Sequence, residues 1–578
     1  MAKRYRFDGL AAVVVATVAT VAVALGSCAP PSGGSGDGTD ETIREIGDES
    51  GLGAYLAGRF AQAHGDTHAA ADYLGTAARS DRDNIELQQR AFNLLLAEGR
   101  LDEAAPMAER LLAIDEAAPM PILLVGVRDG MAGRFAAAET RFSGLPHKGI
   151  NGFLGPLLTA WTQVGQGDYD GALKQLAPRA DTAAFAPIYE FHAGLIADLA
   201  GRAEVAEGHY KAALSTQVSI RTIEAIGSFY QRAGRMDAAR EVYERYHADQ
   251  GDRTLLDGAR QLAAGTALPP VVDGAGAGLA EVMFDTATLV RQGSARDLAL
   301  VFVRLSLGLR PDFPLAQLLL ADILGQQSRL VEANQVYRAI DRNSQAAAFA
   351  RLKTAINLDE AGDEAGAVRE LKALAADRPG AVDVPMTLGD VLRRHKRFAE
   401  AAEAYDMALV RAGASAESRN WAIFYARGIA LERSHQWTRA EKDFLEALRL
   451  KPDQPDVLNY LGYTWVDQGI NLEQGRKMIE RAVQIKPNDG AIVDSLGWAL
   501  YRIGDYAGAA AQLEHAVELK PEDPTINEHL GDALWQVGRF AEARFQWQRA
   551  LSLDPEPEQL EALKAKVEDG QPPAKPAK

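Results

Sequence analysis

An alanine recurs every 34 residues through most of this chain. It stands at Ala70, Ala104, Ala138, Ala172 and Ala206, then 33 residues on at Ala239. After a gap it returns at Ala299, Ala333, Ala367 and Ala401, follows an insertion at Ala440, yields once to Gly475, and closes at Ala509 and Ala543. A glycine keeps step five residues earlier at Gly65, Gly99, Gly133, Gly167, Gly201, Gly234, Gly362, Gly504 and Gly538. A second glycine column lies twelve residues earlier, at Gly58, Gly126, Gly194, Gly227, Gly389, Gly428, Gly497 and Gly531. Proline closes several units, at Pro311, Pro379, Pro452, Pro487, Pro521 and Pro555. A fixed period of this length marks a repeated supersecondary unit. Such a unit cannot bury its own apolar face, so its copies must stack.

Each column has a physical reading. Leu496 and Leu500, at i and i+4, share one helical face and point inward. Gly504 supplies the backbone angles of a tight turn between two helices. Pro521 cannot continue a helix and ends the second one. Gly497 and Ala509 are expected to face each other, small against small, so that the two backbones approach closely. The pattern resembles the tetratricopeptide repeat, W-x2-L-G-x2-Y, then A-x3-F, then P. The match is strongest over residues 382–555 and looser, but in register, over 51–250. The resemblance implies an all-α, tetratricopeptide-repeat superhelical solenoid of about fourteen helix-turn-helix repeats in two sub-arrays.

Breaks in the period suggest the domain layout. The step from Ala239 to Ala299 exceeds the period by an insertion over 251–278 that includes LPPVVDGAGAG, a linker composition. This divides an N-terminal array, 50–250, from a C-terminal one, 279–555, with a hinge or bracket between them. A smaller insertion, RAGASAE, lengthens the loop from Arg411 to Glu417. Residues 556–569 read as a solvated helix capping the last apolar face. Residues 570–578, ending in QPPAKPAK, read as a disordered tail.

The N-terminus carries a different signal. Lys3, Arg4 and Arg6 precede an apolar run from Gly9 to Leu25, which ends in Leu25-Gly26-Ser27-Cys28. Positive, then apolar, then small residues make a secretion signal. The chain's single cysteine at this place resembles the bacterial lipobox, which implies that residues 1–28 form a lipoprotein signal ending at a lipidated Cys28. Ala29 at the next position implies the outer membrane, facing the periplasm, by the usual sorting rule. The alternative is an uncleaved membrane anchor, since the run is nearly long enough to span. Residues 29–49, with PPSGGSGDG, read as a flexible tether.

Composition narrows the functional classes. The charged side chains comprise 62 Lys plus Arg and 79 Asp plus Glu, a net charge of −17. That balance forms no basic patch and argues against nucleic acid as a partner. One cysteine excludes an internal disulfide framework and a cysteine-rich zinc site. The phosphate-loop, zinc-protease and nucleophile-elbow motifs are absent from the sequence. His64 and His68 are spaced i, i+4, but Gly65-Asp66 reads as the turn between them, so a metal pair is not expected. GAGAG at 274–278 is not read as a phosphate loop, because no strand precedes it. The sequence therefore predicts no catalytic residues, no metal and no cofactor, and the expected protein is not an enzyme.

What remains is the inner surface of the stack, lined by the first helix of each unit. Register places Tyr425, Asn459, Tyr463, Asp494, Trp498, Tyr501, Arg502, Glu528, Asp532 and Trp535 along it as a peptide-binding groove. Six of the seven tryptophans lie between 421 and 547. Aromatics flanked by carboxylates suit a partner segment carrying Arg or Lys beside an apolar anchor. The alternative is that Trp498 and Trp535 pack between repeats. The same register points Leu123, Val127, Leu157, Trp161, Phe191 and Leu195 inward in the first array, as an apolar groove for an amphipathic segment or as plain core. The carboxylate clamp of chaperone-binding repeats finds a counterpart only in Asn459, so that function is not carried over.

The segments LNYLGYTWVDQG, DSLGWALYRIG and NEHLGDALWQVGRFAEA resemble, over 382–556, a group of proteobacterial envelope lipoproteins built from many tetratricopeptide repeats. The resemblance implies a non-enzymatic scaffold or adaptor that binds other envelope proteins. One such adaptor in that group docks a periplasmic carboxyl-terminal processing protease to its substrates. Two other readings remain. One is an assembly or pilotin-type factor for an outer-membrane secretin or polysaccharide exporter. The other is a peptidoglycan-binding or hydrolytic protein with an unrecognised site.

Overall fold

A computed structural model describes residues 51–177, 185–214, 219–250, 262, 265, 268–291, 296–344, 346–413 and 420–570. Cys28, the apolar run, the tether, most of 251–267 and the tail beyond 570 lie outside the described residues. Among those described, twenty-nine helices and no strand are present. They form fourteen antiparallel pairs followed by one last helix, Pro557–Asp569, and each pair carries one member of the alanine series. All thirteen alanines of the series are completely buried, from Ala70 to Ala543. Gly475 holds the fourteenth place because the two helices touch there through backbone: a Cβ would stand 2.8 Å from the Gly462 carbonyl oxygen.

The turn column forms as the sequence predicts. Gly504 has φ +92°, and the eight other column glycines also lie in the left-handed region. Asp505 then opens the second helix, its carboxylate accepting the Gly508 N–H at 2.9 Å. The second glycine column corrects an expectation. Gly497 does not face Ala509; the side chain of Leu513 fills the space where its Cβ would be. The rule holds along the chain, with Gly126 receiving Phe142, Gly194 receiving Tyr210, Gly389 receiving Tyr405 and Gly531 receiving Trp547. Each glycine of this column is a hole for a large knob sixteen residues later, and the absence of a Cβ keeps a big side chain at the centre of the pairs that carry it.

The chain divides into two compact units, with the boundary between Asn357 and Leu358. The helix pairs between 275 and 344 therefore fold with the first array, where the sequence reading had put them with the second. The physical reason lies in the groove of unit 1. Helix Ala275–Arg291 packs across the first helices of three earlier pairs, Pro119–Met131, Gly149–Gly165 and Ala186–Leu199. Helix Arg296–Leu309 packs on Ile85–Ala97 and Pro119–Met131. Gly278 lets the Trp161 indole come so close that a Cβ would overlap it. GAGAG, read as linker, is thus largely the opening turn of a helix, and its glycine is there for Trp161. The inward-facing Leu123, Val127, Leu157, Trp161, Phe191 and Leu195 are all buried. They are core, and the chain's own later helices complete that core.

Polar groups fasten this closure. Helix Ile220–Arg232 is buried at every residue from Arg221 to Gln231. Arg221 donates to both oxygens of Glu281 and to Glu224 at 2.9 Å, and also reaches the Val271 carbonyl at 3.1 Å. Arg310 donates to that same carbonyl at 3.0 Å, and both guanidiniums lie over the Phe313 ring. Ser228 and Gln231 hold the backbone of Leu268 and Pro269. Trp161 donates to His192 at 2.9 Å, and His192 faces Asp285 at 3.2 Å. At the opposite edge, Arg329 donates to Glu98 at 2.7 Å across a separation of 231 residues. Burial pushes the Glu98 carboxyl up, but hydrogen bonds from Arg329 and Thr67 reverse that and hold it below its ordinary value.

Candidate protein-binding surface

Unit 2 stacks helix pairs in sequence order, and its inner wall is built by first helices. Pro455–Gln468 packs on Gly490–Ile503, which packs on Pro524–Gln536. Their N-termini are fixed locally: Pro455 and Pro524 stand in first turns, and Asp489 and Asp523 accept from the first free N–H groups of their helices.

The wall proves to be graded in depth. Trp498 is only 7% exposed. Its indole stacks on Tyr501 at 5.0 Å and on the His529 imidazole at 4.2 Å. Asp494 and Asp532 are buried too, which corrects the reading of exposed aromatics flanked by exposed carboxylates. Asp494 lies 2.9 Å from His529 Nδ1. Burial opposes a charge on His529, yet the carboxylates of Asp494, Asp532 and Glu528 outweigh it and raise its pKa. Asp532 accepts from Trp547 Nε1 at 3.0 Å and from Lys566 Nζ at 2.8 Å; Glu528 accepts from Lys566 at 2.7 Å. Burial pushes the Asp532 carboxyl up despite that ammonium. Trp535 packs on Phe540 and Trp547, with Gly570 directly against its ring. The inter-repeat packing expected as the alternative is what Trp498 does, against His529 of the next pair; Trp535 stays half-buried and packs within its own pair.

Tyr425, Asn459, Tyr463, Tyr501, Arg502 and Glu528 stay half-buried. Tyr425 joins Trp421 and Tyr460 in an aromatic cluster, and burial pushes its hydroxyl up to about 12. Burial does the same to Tyr501, also to about 12. Burial and the neighbouring Asp467, Asp494 and Glu528 raise the Tyr463 hydroxyl. Arg502 reaches the Asp467 carbonyl at 2.9 Å and its carboxylate at 3.0 Å. The Asn459 side-chain oxygen is buried without a hydrogen-bond partner among the described residues.

Two residues central to this wall escaped the sequence reading. His529 occupies a column held by Leu124, His192, Ala426 and Ser495 in other repeats, so its place in the repeat gave no signal. Lys566 comes from the capping helix, which is not merely solvated: Leu563 and Lys566, at i and i+3, are both buried. Among the described residues no group of three or more His, Cys, Asp or Glu is placed to hold a metal ion. His64 and His68 fall either side of the turn: His64 stacks on Phe60, and His68 lies by Asp72 and Glu98. No helix among the described residues is long and apolar enough to cross a membrane.

Comparison with known proteins places these repeats. Residues 352–417, 425–490 and 495–556 match the tetratricopeptide-repeat family model. A TPR repeat-containing protein of Pseudomonas aeruginosa is 35% identical over 91 residues, which is 16% of this chain and 15% of that relative. Among solved structures, yeast Tom70 matches over 90% of this chain and 95% of its own at 13% identity and TM-score 0.34. The APC/C hetero-tetramer Cut9–Hcn1 matches over 84% of this chain and 96% of that one at 14% identity and TM-score 0.37. A tetratricopeptide-repeat protein of Parabacteroides merdae covers 39% of this chain and 86% of its own, at 17% identity and TM-score 0.34. The chain carries tetratricopeptide repeats, units that serve as scaffolds for protein interaction.

Proposed function

We propose that this tetratricopeptide-repeat chain is a non-enzymatic adaptor of the bacterial envelope, held to the outer membrane through Cys28 and facing the periplasm. Its partners are other envelope proteins, and the unit 2 wall is where they bind. The observation that carries this reading is that Tyr425, Asn459, Tyr463, Tyr501, Arg502 and Glu528 stay half-buried along successive first helices, as a partly open polar and aromatic wall. Within it, Tyr463 and Arg502 favour a segment with both apolar and polar groups. The groove of unit 1 is filled by the chain itself, which supports unit 2 as the surface for partners.

By resemblance to the envelope lipoproteins, the favoured partner is a carboxyl-terminal processing protease, which the adaptor would bring to its substrates. The test is capture from a periplasmic extract by the purified chain, comparing wild type with Asn459→Ala and Tyr463→Ala. Both sites are half-buried and their loss spares the inter-repeat core, so folding should survive. Retention of the same partners by both variants would remove the wall from consideration. Capture of a pore-forming protein in place of a protease would redirect the reading to an assembly factor.

A further inference from the structure

The first helix, Gly51–Ala63, leaves three large apolar side chains in water. Leu52 is 70% exposed, Leu56 60% and Phe60 64%. They stand at i, i+4 and i+8, one stripe on one face. Later repeats show how that face is ordinarily covered. Two residues before the column glycine, where Leu56 stands, Leu124, His192 and Ser495 are buried. Two residues after it, where Phe60 stands, Ile196, Val391 and Ala499 are buried. His529 shows the cover directly: it packs on Asp494 and Trp498 of the preceding pair. Among the described residues no pair precedes Gly51–Ala63, and its stripe stays open.

The stripe is too small for a protein partner. Three side chains fall well short of the roughly 800 Å² per partner that a stable interface needs. Nor can a second copy continue the stack: the complementary end of the array is taken by helix Pro557–Asp569, with Leu563 fully buried and Lys566 bonded to Glu528 and Asp532. A bilayer surface needs no matching shape. It accepts a helix lying flat, apolar side chains down and basic ones level with the phosphates. Gly51–Ala63 has that make-up. It carries no carboxylate in a chain of net charge −17, and its one charged residue, Arg59, stands at the edge of the stripe. The Arg59 guanidinium donates to the Tyr55 hydroxyl at 3.3 Å, so a cation and a ring with a polar tip flank the apolar side chains. Chain length puts the surface within reach. Leu52 follows Cys28 by 24 residues, which limits their separation to roughly 85 Å. A stripe confined to that radius of a lipid anchor meets the bilayer at high effective concentration and needs little affinity of its own.

We propose that helix Gly51–Ala63 docks on the membrane surface, seating Leu52, Leu56 and Phe60 among the lipid headgroups with Arg59 beside the phosphates. The inference rests on the lipid anchor at Cys28 proposed above, and adds that the first pair lies against the bilayer. The seat is apolar, since Asp40, Glu41, Glu45, Asp48 and Glu49 precede the helix and oppose an anionic surface. Zwitterionic lipid therefore suffices. The test uses the full chain extracted in detergent, with Leu56→Cys labelled by an environment-sensitive fluorophore. It is reconstituted on phosphatidylcholine vesicles that contain a spin-labelled quencher lipid. A lipidated Cys28 has no free thiol, so the number of labels reports the anchor and quenching at position 56 reports the stripe. The expected chain takes one label, floats with the vesicles and is quenched. Leu52→Asp with Phe60→Asp should lower that quenching at least about fivefold, with flotation and helix content unchanged. A floating chain that is not quenched, or that is quenched equally in the double variant, overturns the docking and leaves the anchor standing. Cover of position 56 by another part of the chain, a second copy or a partner protein gives that result. Two labels per chain overturn the lipid anchor, and with it the docking.

Discussion

The inner wall of unit 1 is covered by later helices of the same chain, whereas in unit 2 the same wall is built repeat upon repeat, with several side chains half-buried. Both units carry the alanine column, glycine turns and knob-in-hole pairs. They differ in what the first helices meet. In unit 1, Trp161 meets Gly278; in unit 2, Trp498 meets His529 of the next repeat. The repeat pattern therefore specifies the stack but leaves open whether its groove is a core or a surface. That choice is made by residues outside the repeat columns.

The hardest blow to the comparison is Glu281→Ala. Glu281 is completely buried, and its loss leaves the Arg221 guanidinium with only Glu224 and the Val271 carbonyl where helix Ala275–Arg291 enters the groove. Breaking a buried pair on one side costs about 3–5 kcal/mol. Hydrogen exchange should accelerate in helices Ala275–Arg291 and Ile220–Arg232. If these stay protected, the ion pair does not hold the groove shut. Trp498→Ala follows in size. It removes a buried indole from between two repeats and should cost about 3 kcal/mol in urea unfolding, while Tyr463→Ala, on the half-buried part of the same wall, costs less than half of that. Equal losses would mean that the wall is core throughout and that unit 2 resembles unit 1 after all.

The stack was legible in the sequence because its rules are local. Ala509, Gly504 and Pro521 act within one hairpin, so fourteen pairs could be counted from spacing alone. The second glycine column was located correctly but assigned the wrong neighbour, since spacing along a helix does not say that Leu513 reaches Gly497 from the partner helix. The filling of the unit 1 groove was not legible. It depends on Arg221 meeting Glu281 sixty residues away and on Arg329 meeting Glu98 at 231, pairings that no period encodes. The inserted 251–278 segment looked like a boundary, yet its described end is tied down by Arg221, Ser228 and Gln231. In unit 2, register placed the wall residues on the right helices. It could not set their depth, which is decided by His529 and by Lys566 arriving from the cap.

A pH series sharpens the contrast, because a raised histidine has been found in the unit 2 wall. The His529 imidazole is held above its ordinary pKa by Asp494, with Asp532 and Glu528 nearby, against the pull of burial. A group whose pKa is raised on folding stabilises fully below its unfolded value, about 6.5, and loses that contribution as pH climbs through the folded value. The protection of helix Pro524–Gln536, taken relative to the free-peptide exchange rate at each pH, should therefore fall from about pH 6.5 upward. The Asp494→Asn variant should start weaker and show a flatter profile over the same range. A wild-type profile as flat as that of the variant would show that His529 is held neutral and that the stack on Trp498 needs no charge.

The smallest effect asks whether the two units obey one set of turn rules. Where the turn column lacks glycine, Ser328 in unit 1 has φ +61° and His435 in unit 2 has φ +62°. Both side chains are exposed, so replacing either removes backbone strain with little lost packing. A side chain in the left-handed region costs roughly 1–2 kcal/mol, and glycine returns part of that gain through its greater freedom when unfolded. Ser328→Gly and His435→Gly should each stabilise by roughly 0.5–1 kcal/mol, raising the urea midpoint with the slope unchanged. If only His435→Gly stabilises, the strain at Ser328 is compensated by the neighbouring Arg329–Glu98 contact that closes unit 1, and the two units differ in their turns as well as in their grooves.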